Sequence, residues 1–217
     1  MRWQHPDLGL LTPNFFVPLA EETRLIVPLS KEVLRTACRD AVIINAAARQ
    51  PVPVAVNLSV RQLDDGEFLN DLKDLLAETG LKPDLLHFEI TESMVMHNPE
   101  QSVRIMAELQ AMGIRLDIDD FGVGYSSLAY LKRFPVYGLK IDRSFIQDIP
   151  ADQNDSAITL AIIAMGHSMG LRVIAEGVET VEQLEALRGF GCDEFQGYYF
   201  SRPIPVDAFL RLRAAHP

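Results

Sequence analysis

From residue 52 onward, short apolar runs and amphipathic helical patterns follow one another in one fixed order, strand then helix. Apolar runs at 52–58, 85–91, 114–119, 138–141, 172–175 and 194–199 predict strands, and the patterns at 67–79, 100–112, 155–169, 181–190 and 206–214 predict helices. Two further helical stretches, 13–23 and 29–48, precede this series. Gly80, Gly113, Gly170 and Gly191 each fall just past a helical stretch, where a left-handed residue commonly closes a helix. Strands separated by helices pair in parallel. That leaves two large solutions, the doubly wound open sheet and the closed (β/α)8 barrel.

The polar residues decide between them. Asn57, Glu89, Asp119 with Asp120, Lys140 with Asp142, Glu176 and Gln196 stand at or just past the carboxyl ends of the predicted strands. An open sheet draws its site from the few strands at a switch point, whereas a barrel gathers residues from many strand ends onto one mouth, so an α/β barrel is expected. The chain has 217 residues, against roughly 250 for a typical (β/α)8 barrel. With only the six strands named above, the barrel is expected to lack its first strand or strands. At 48% apolar residues the chain supports one core, so a single domain over 1–217 is expected.

No run of eighteen apolar residues occurs and the amino end has no signal-peptide pattern, so the expectation is a soluble chain without membrane contact. Cys38 and Cys192 lie outside any metal-binding spacing, which points to a reduced, cytoplasmic setting and offers no good nucleophile. The formal charge of −10 repels polyanions and argues against a nucleic-acid polymer as partner. An anionic substrate would need help, and bound divalent cations reverse the sign of an acidic pocket.

Alternation along Leu116-Asp117-Ile118-Asp119 puts Leu116 and Ile118 on one face and Asp117 and Asp119 on the other, so Asp119 is expected to point inward at the barrel mouth. Alone, Asp119-Asp120-Phe121-Gly122 reads equally well as a solvated turn. Glu89 and Glu176 change the balance, because uncompensated carboxylates gathered at one mouth repel each other and imply cations among them. The set Asn57, Glu89, Asp119, Asp120 and Glu176 is all oxygen, which suits Mg2+ or Mn2+ in a two-metal site of the kind that stabilises displacement at phosphorus. Lys140 faces those carboxylates or an attacking water, or else forms a structural ion pair with Asp142 or another acid. His5, His87, His97, His167 and His216 have no ligand spacing and read as core-edge or surface residues. The run Gly122-Val123-Gly124-Tyr125-Ser126-Ser127 lacks both GxGxxG and a Walker lysine and reads as a flexible active-site loop, and the absence of GxSxG leaves nucleophilic serine catalysis without support.

Taken in order, Arg2-Trp3-Gln4-His5-Pro6, Asn57-Leu58-Ser59, Phe88-Glu89-Ile90-Thr91-Glu92, Asp119-Asp120-Phe121-Gly122, Lys140-Ile141-Asp142, Ala175-Glu176-Gly177-Val178-Glu179 and Gln196-Gly197-Tyr198 closely resemble the motif series of the EAL domain family of cyclic di-GMP phosphodiesterases. The resemblance implies a modified TIM barrel that hydrolyses cyclic di-GMP to linear pGpG with Mg2+ or Mn2+. It implies Asn57, Glu89, Asp119, Asp120 and Glu176 as metal ligands, with Asp119 the bridge, and Lys140, Glu176 and Asp120 as the catalytic set. It further implies Arg2, Glu179, Gln196 and Tyr198 as substrate-binding residues, Glu92 as the anchor of the loop after Asp120, and a homodimer formed through that loop. Val123 departs from the threonine usual there. In the family a Glu-Ala-Leu triplet and one apolar residue precede the Arg-Trp pair, and Met1 fits the apolar position. The expectation is therefore a domain whose first ligand glutamate is missing and whose activity is reduced. A cyclic di-GMP receptor without hydrolysis is the alternative. Loss of the glutamate favours the receptor, while the presence of Lys140, Glu176 and both aspartates favours the enzyme.

Overall fold

The structure is a computed structural model, and it describes residues 1–124 and 128–215. A short antiparallel hairpin, β1 (Trp3–His5) and β2 (Gly9–Leu11), leads into helices α1 (Pro13–Glu22) and α2 (Ile26–Ala46). The alternating series follows: β3 (Val54–Asn57), α3 (Val60–Leu63), α4 (Phe68–Thr79), β4 (Leu86–Thr91), α5 (Glu92–His97), α6 (Pro99–Ala111), β5 (Arg115–Phe121), α7 (Leu128–Leu131), β6 (Gly138–Ile141), α8 (Gln153–Ser168), β7 (Arg172–Ala175), α9 (Val181–Phe190), β8 (Glu194–Phe195) and α10 (Val206–Ala215). Each glycine expected to close a helix has a positive φ, from 69° at Gly80 to 90° at Gly113.

The six strands β3 to β8 form one parallel sheet whose spatial order is the chain order. A doubly wound sheet reverses its order at a switch point, and this one never does, so it curls in one direction as a barrel wall. Among the described residues the wall stays open, with β3 and β8 as its edges. A cavity of about 780 Å3 is lined by Pro53 from the β3 side and by Phe195, Phe209 and Leu212 from the β8 side.

One face of the wall is apolar. Phe88, Ile90, Leu116, Ile118, Leu139 and Ile141 are buried in a common core with Leu72 of α4, Met106 and Leu109 of α6 and Leu187 of α9. Burying each such side chain is worth roughly 1.5–3 kcal/mol, which makes this layer the main source of stability. The other face carries Glu89, Asp117, Asp119 and Lys140, as strand alternation requires.

Two predicted strands are shorter in the structure by more than one residue. The 52–58 run pairs only from Val54, since Pro51 and Pro53 have no N–H for the ladder, and it ends where Ser59 begins a capping box with Gln62. The 194–199 run stops at Phe195 because Gly197 lies against Val178, where a Cβ would come within 2.1 Å of the Val178 carbonyl oxygen. There the chain exchanges hydrogen bonds with that loop, Val178 N donating to Gln196 O at 3.0 Å and Tyr199 N to Val178 O at 2.9 Å.

Candidate active site

The carboxyl ends of five neighbouring strands bring the charged residues together. Lys140 on β6 is 3% exposed, and its Nζ lies 2.7 Å from Glu89 Oε1 on β4, 3.0 Å from Asp119 Oδ1 on β5 and 2.5 Å from Glu176 Oε1, just past β7. The ion pair is therefore with the clustered acids and not with Asp142. Asp142 is used locally, its Oδ1 accepting from Ser144 N at 2.9 Å and from Ser144 Oγ at 2.5 Å. Asn57, at the end of β3 and opposite Glu89 in the register, donates from Nδ2 to Glu89 Oε2 at 3.1 Å.

Strict alternation would send Asp119 and Asp120 to opposite faces of β5. They meet because Asp120 adopts φ 52°, a left-handed conformation that aspartate tolerates better than most residues, and because the β5–β6 register shifts between Ile118 and Phe121. Gly122 continues the turn at φ 101°, pressed onto Phe145, whose ring carbon would lie 2.8 Å from any Cβ there. As a result Asp119, Asp120 and Glu176 each present one oxygen within 4.8 Å of the others. The loop carrying Glu176 is fixed from behind by Gln183, whose Oε1 accepts from Glu179 N at 2.7 Å and from Thr180 N at 3.0 Å.

This mouth is short of positive charge. Burial raises the carboxyls of Glu89 and Glu176 above their ordinary range, against the pull of Lys140. Burial, then the charges of Asp119 and Asp142, raise Asp120 as well. Burial alone would lower the Lys140 ammonium, but Glu89, Glu176 and Asp119 carry it well above its ordinary value, so it stays protonated. Asp119 Oδ1 is buried without a hydrogen bond, since the nearby ammonium approaches outside hydrogen-bond geometry. A buried carboxylate oxygen without a hydrogen bond, beside two more carboxylates, fits a hard divalent cation.

The remaining expected residues lie at several places. Glu179 is exposed on the loop after Glu176. Gln196 N donates to Ala175 O at 2.8 Å, and Gln196 lines an inner cavity of about 200 Å3 together with Lys140 and Glu89. Tyr198 is exposed, with the Arg202 guanidinium 4.8 Å from its ring centre. Arg2 donates from Nη1 to Met1 O at 2.7 Å and lines an apolar pocket with Trp3 and Phe16. Asn57 and Asp120 line a separate groove of about 800 Å3, shared with Ser93 and His97. Glu92 Oε2 lies 3.6 Å from the Cβ position of Gly124, at the start of the loop it is expected to anchor. Tyr125, Ser126 and Ser127, the remainder of that loop, lie outside the described residues, as does His216. Burial pushes both cysteine thiols up to about 11, which keeps them inert near neutral pH.

Sequence reasoning missed the floor of the same face. His87 Nδ1 lies 3.3 Å from Asp117 Oδ2. The Arg115 guanidinium sits 4.2 Å over the Tyr137 ring, and Arg172 donates to Tyr137 OH at 3.2 Å and pairs with Glu194. Gly138 makes room for Asp117, whose Oδ1 would stand 2.4 Å from a Cβ there. The one available signal was that inward positions at the strand starts, Arg115, Arg172 and Glu194, are charged where a packed barrel would be apolar.

The family model of the EAL domain matches residues 1–203. The cyclic di-GMP phosphodiesterase NbdA of Pseudomonas aeruginosa is 46% identical over 214 residues, 97% of this chain and 27% of that protein. A solved structure of the PaMucR phosphodiesterase in complex with c-di-GMP matches with a TM-score of 0.92 at 43% identity, covering 96% of this chain and 84% of that one. A manganese/cy-diGMP complex of Klebsiella pneumoniae BlrP1 matches with a TM-score of 0.79 at 32% identity, covering 90% of this chain and 49% of that one. The chain spans between 26% and 31% of the length of the curated relatives NbdA, MucR and YkoW.

Proposed function

The chain belongs to the EAL domain family, and from that premise we propose that residues 1–217 are one phosphodiesterase domain that hydrolyses cyclic di-GMP to linear pGpG with Mg2+ or Mn2+. The observation that carries this reading is the mouth itself, where Glu89, Asp119 and Glu176 crowd around one lysine and Asp120 adds a further acid. Asn57, Glu89, Asp119, Asp120 and Glu176 are the residues to hold a two-metal site, with Asp119 shared. When bound, the cations supply neutralising charge and polarise the phosphoryl oxygens.

The chain's own groups do the rest. Lys140, held among Glu89, Asp119 and Glu176, orients or activates the attacking water. Glu176 and Asp120 complete the catalytic set, as acids of the same mouth that would take up the water's proton. Arg2, Glu179, Gln196 and Tyr198 contact the substrate, Glu92 anchors the loop after Asp120, and that loop joins two copies as a homodimer. The partner is a small cyclic dinucleotide and not a nucleic-acid polymer. The setting is the cytoplasm, and no helix among the described residues is long and apolar enough to cross a membrane. A receptor that binds without cleaving would gain nothing from an ammonium locked among three carboxylates, which favours hydrolysis.

The test is to incubate the protein with cyclic di-GMP and Mg2+ or Mn2+ and follow products by chromatography. Linear pGpG should form with either ion and disappear with excess chelator, while Ca2+, larger and looser in geometry, should bind without turnover. Cyclic di-GMP left intact under all conditions, or cleaved fully in chelator, would refute the reading.

A further inference from the structure

Arg143 opens a single 3-10 turn, Arg143–Phe145, immediately after β6. Its base is held from three sides. Asp142 caps the turn through Ser144. Phe145 packs under Gly122, behind Asp120. The Arg143 Cβ lies 2.6 Å from the Cβ position of Gly177, the residue after Glu176, so this stem is the reason Gly177 carries no side chain. The base of Arg143 thus lies between the loop of Asp120 and the loop of Glu176. Its guanidinium is exposed and, among the described residues, makes no ion pair or hydrogen bond. Its charge is felt at Asp120, where it opposes the effects of burial and of Asp119 and Asp142.

The mouth's other cation is unavailable, since Lys140 is taken up by three carboxylates. We infer that Arg143 is a substrate-binding residue, whose guanidinium fork takes the non-bridging oxygens of the phosphodiester at the mouth. A planar fork with several donors matches the two oxygens of a phosphodiester better than a point charge does. This inference rests on the proposed phosphodiesterase reading and adds to it a side chain that no motif named.

The experiment compares wild type with Arg143→Ala, Arg143→Gln and Arg143→Lys, the glutamine variant guarding against a folding defect in the alanine one. Three quantities are read: KM, cyclic di-GMP affinity with Ca2+ in the site, and half-saturating Mn2+. Arg143→Ala and Arg143→Gln should raise KM and weaken binding roughly ten- to hundredfold, the scale of a lost charge-assisted contact. The Mn2+ requirement should stay unchanged, and Arg143→Lys should recover only part of the loss. Unchanged KM and affinity in folded variants would overturn the inference while leaving the phosphodiesterase reading intact. A shifted Mn2+ requirement fully rescued by lysine would also overturn it, because Arg143 would then act on Asp120 and not on substrate. A wild type that neither binds nor cleaves cyclic di-GMP would sink both.

Discussion

The two ends of the inward face of the sheet are built from similar materials and differ in their balance. At the floor, the guanidinium groups of Arg115 and Arg172 stand with the carboxylates of Asp117 and Glu194, joined through Tyr137 and His87. Two guanidinium groups stand there with two carboxylates, so the formal charges balance, although Asp117 Oδ1 and His87 Nε2 are buried without a hydrogen-bond partner. At the mouth, Glu89, Asp119, Asp120 and Glu176 face Lys140, four carboxylates to one ammonium. A matched polar network stabilises or specifies a fold at modest net gain. An unmatched one destabilises it and survives where ligands restore the balance. The floor therefore reads as structure and the mouth as function, although both are polar and on the same sheet.

The largest effect should come from the mouth. Lys140→Ala is expected to lower kcat by on the order of a hundredfold or more, with KM changing far less, because the lysine acts on the attacking water in the transition state. A rise in KM with kcat preserved would make Lys140 a binding group. At the floor the expectation inverts. Asp117→Ala removes the partner of His87 and should cost roughly 1–3 kcal/mol of stability, seen as a lower Tm, while kcat stays within a few-fold of wild type. Loss of hydrolysis at unchanged Tm would erase the distinction between the two ends.

A smaller effect concerns pH. Burial raises Glu89 and Glu176, so in the metal-free protein these groups bind protons more readily folded than unfolded. A raised carboxylate makes stability fall as pH rises through its folded pKa, and the metal-free protein should therefore melt higher as pH is lowered from neutrality toward the ordinary carboxylate range. Saturating Mn2+ should remove or reverse that trend, since a cation prefers the ionised form. A metal-free protein losing stability steadily over the same range would show that the mouth carboxylates are already balanced.

Much of this contrast was legible in the sequence, and the rest shows where one-dimensional patterns stop. Alternating strands and helices, with glycines closing four helices, sufficed for the parallel wall. Polar residues at the strand ends sufficed for its barrel-like curl. The hairpin Trp3–His5 with Gly9–Leu11 escaped because each arm has only three residues, too few for a period to register. The meeting of Asp119 with Asp120 depends on a left-handed residue and a register shift, and period-two alternation predicts the opposite. Motif resemblance grouped the two aspartates, but only coordinates explain how they share a face. The choice of partner for Lys140 was open between Asp142 and the more distant acids, and local capping of Ser144 decided it. The floor went unread because its members are isolated residues far apart in the chain that meet only once six strands are in register.

The most direct measurement is Mn2+ binding itself, followed by the loss of the free-ion electron paramagnetic resonance signal as protein is titrated into Mn2+, for wild type and for Asp119→Asn. Asp119 carries a buried oxygen that lies 3.0 Å from the Lys140 ammonium and has no hydrogen bond. Wild type should take up Mn2+, in a ratio approaching two ions per chain, and Asp119→Asn should lose most of that uptake while remaining folded. Wild type that leaves the signal unchanged, or Asp119→Asn that binds as well as wild type, would contradict the claim that the unmatched carboxylates exist to hold metal.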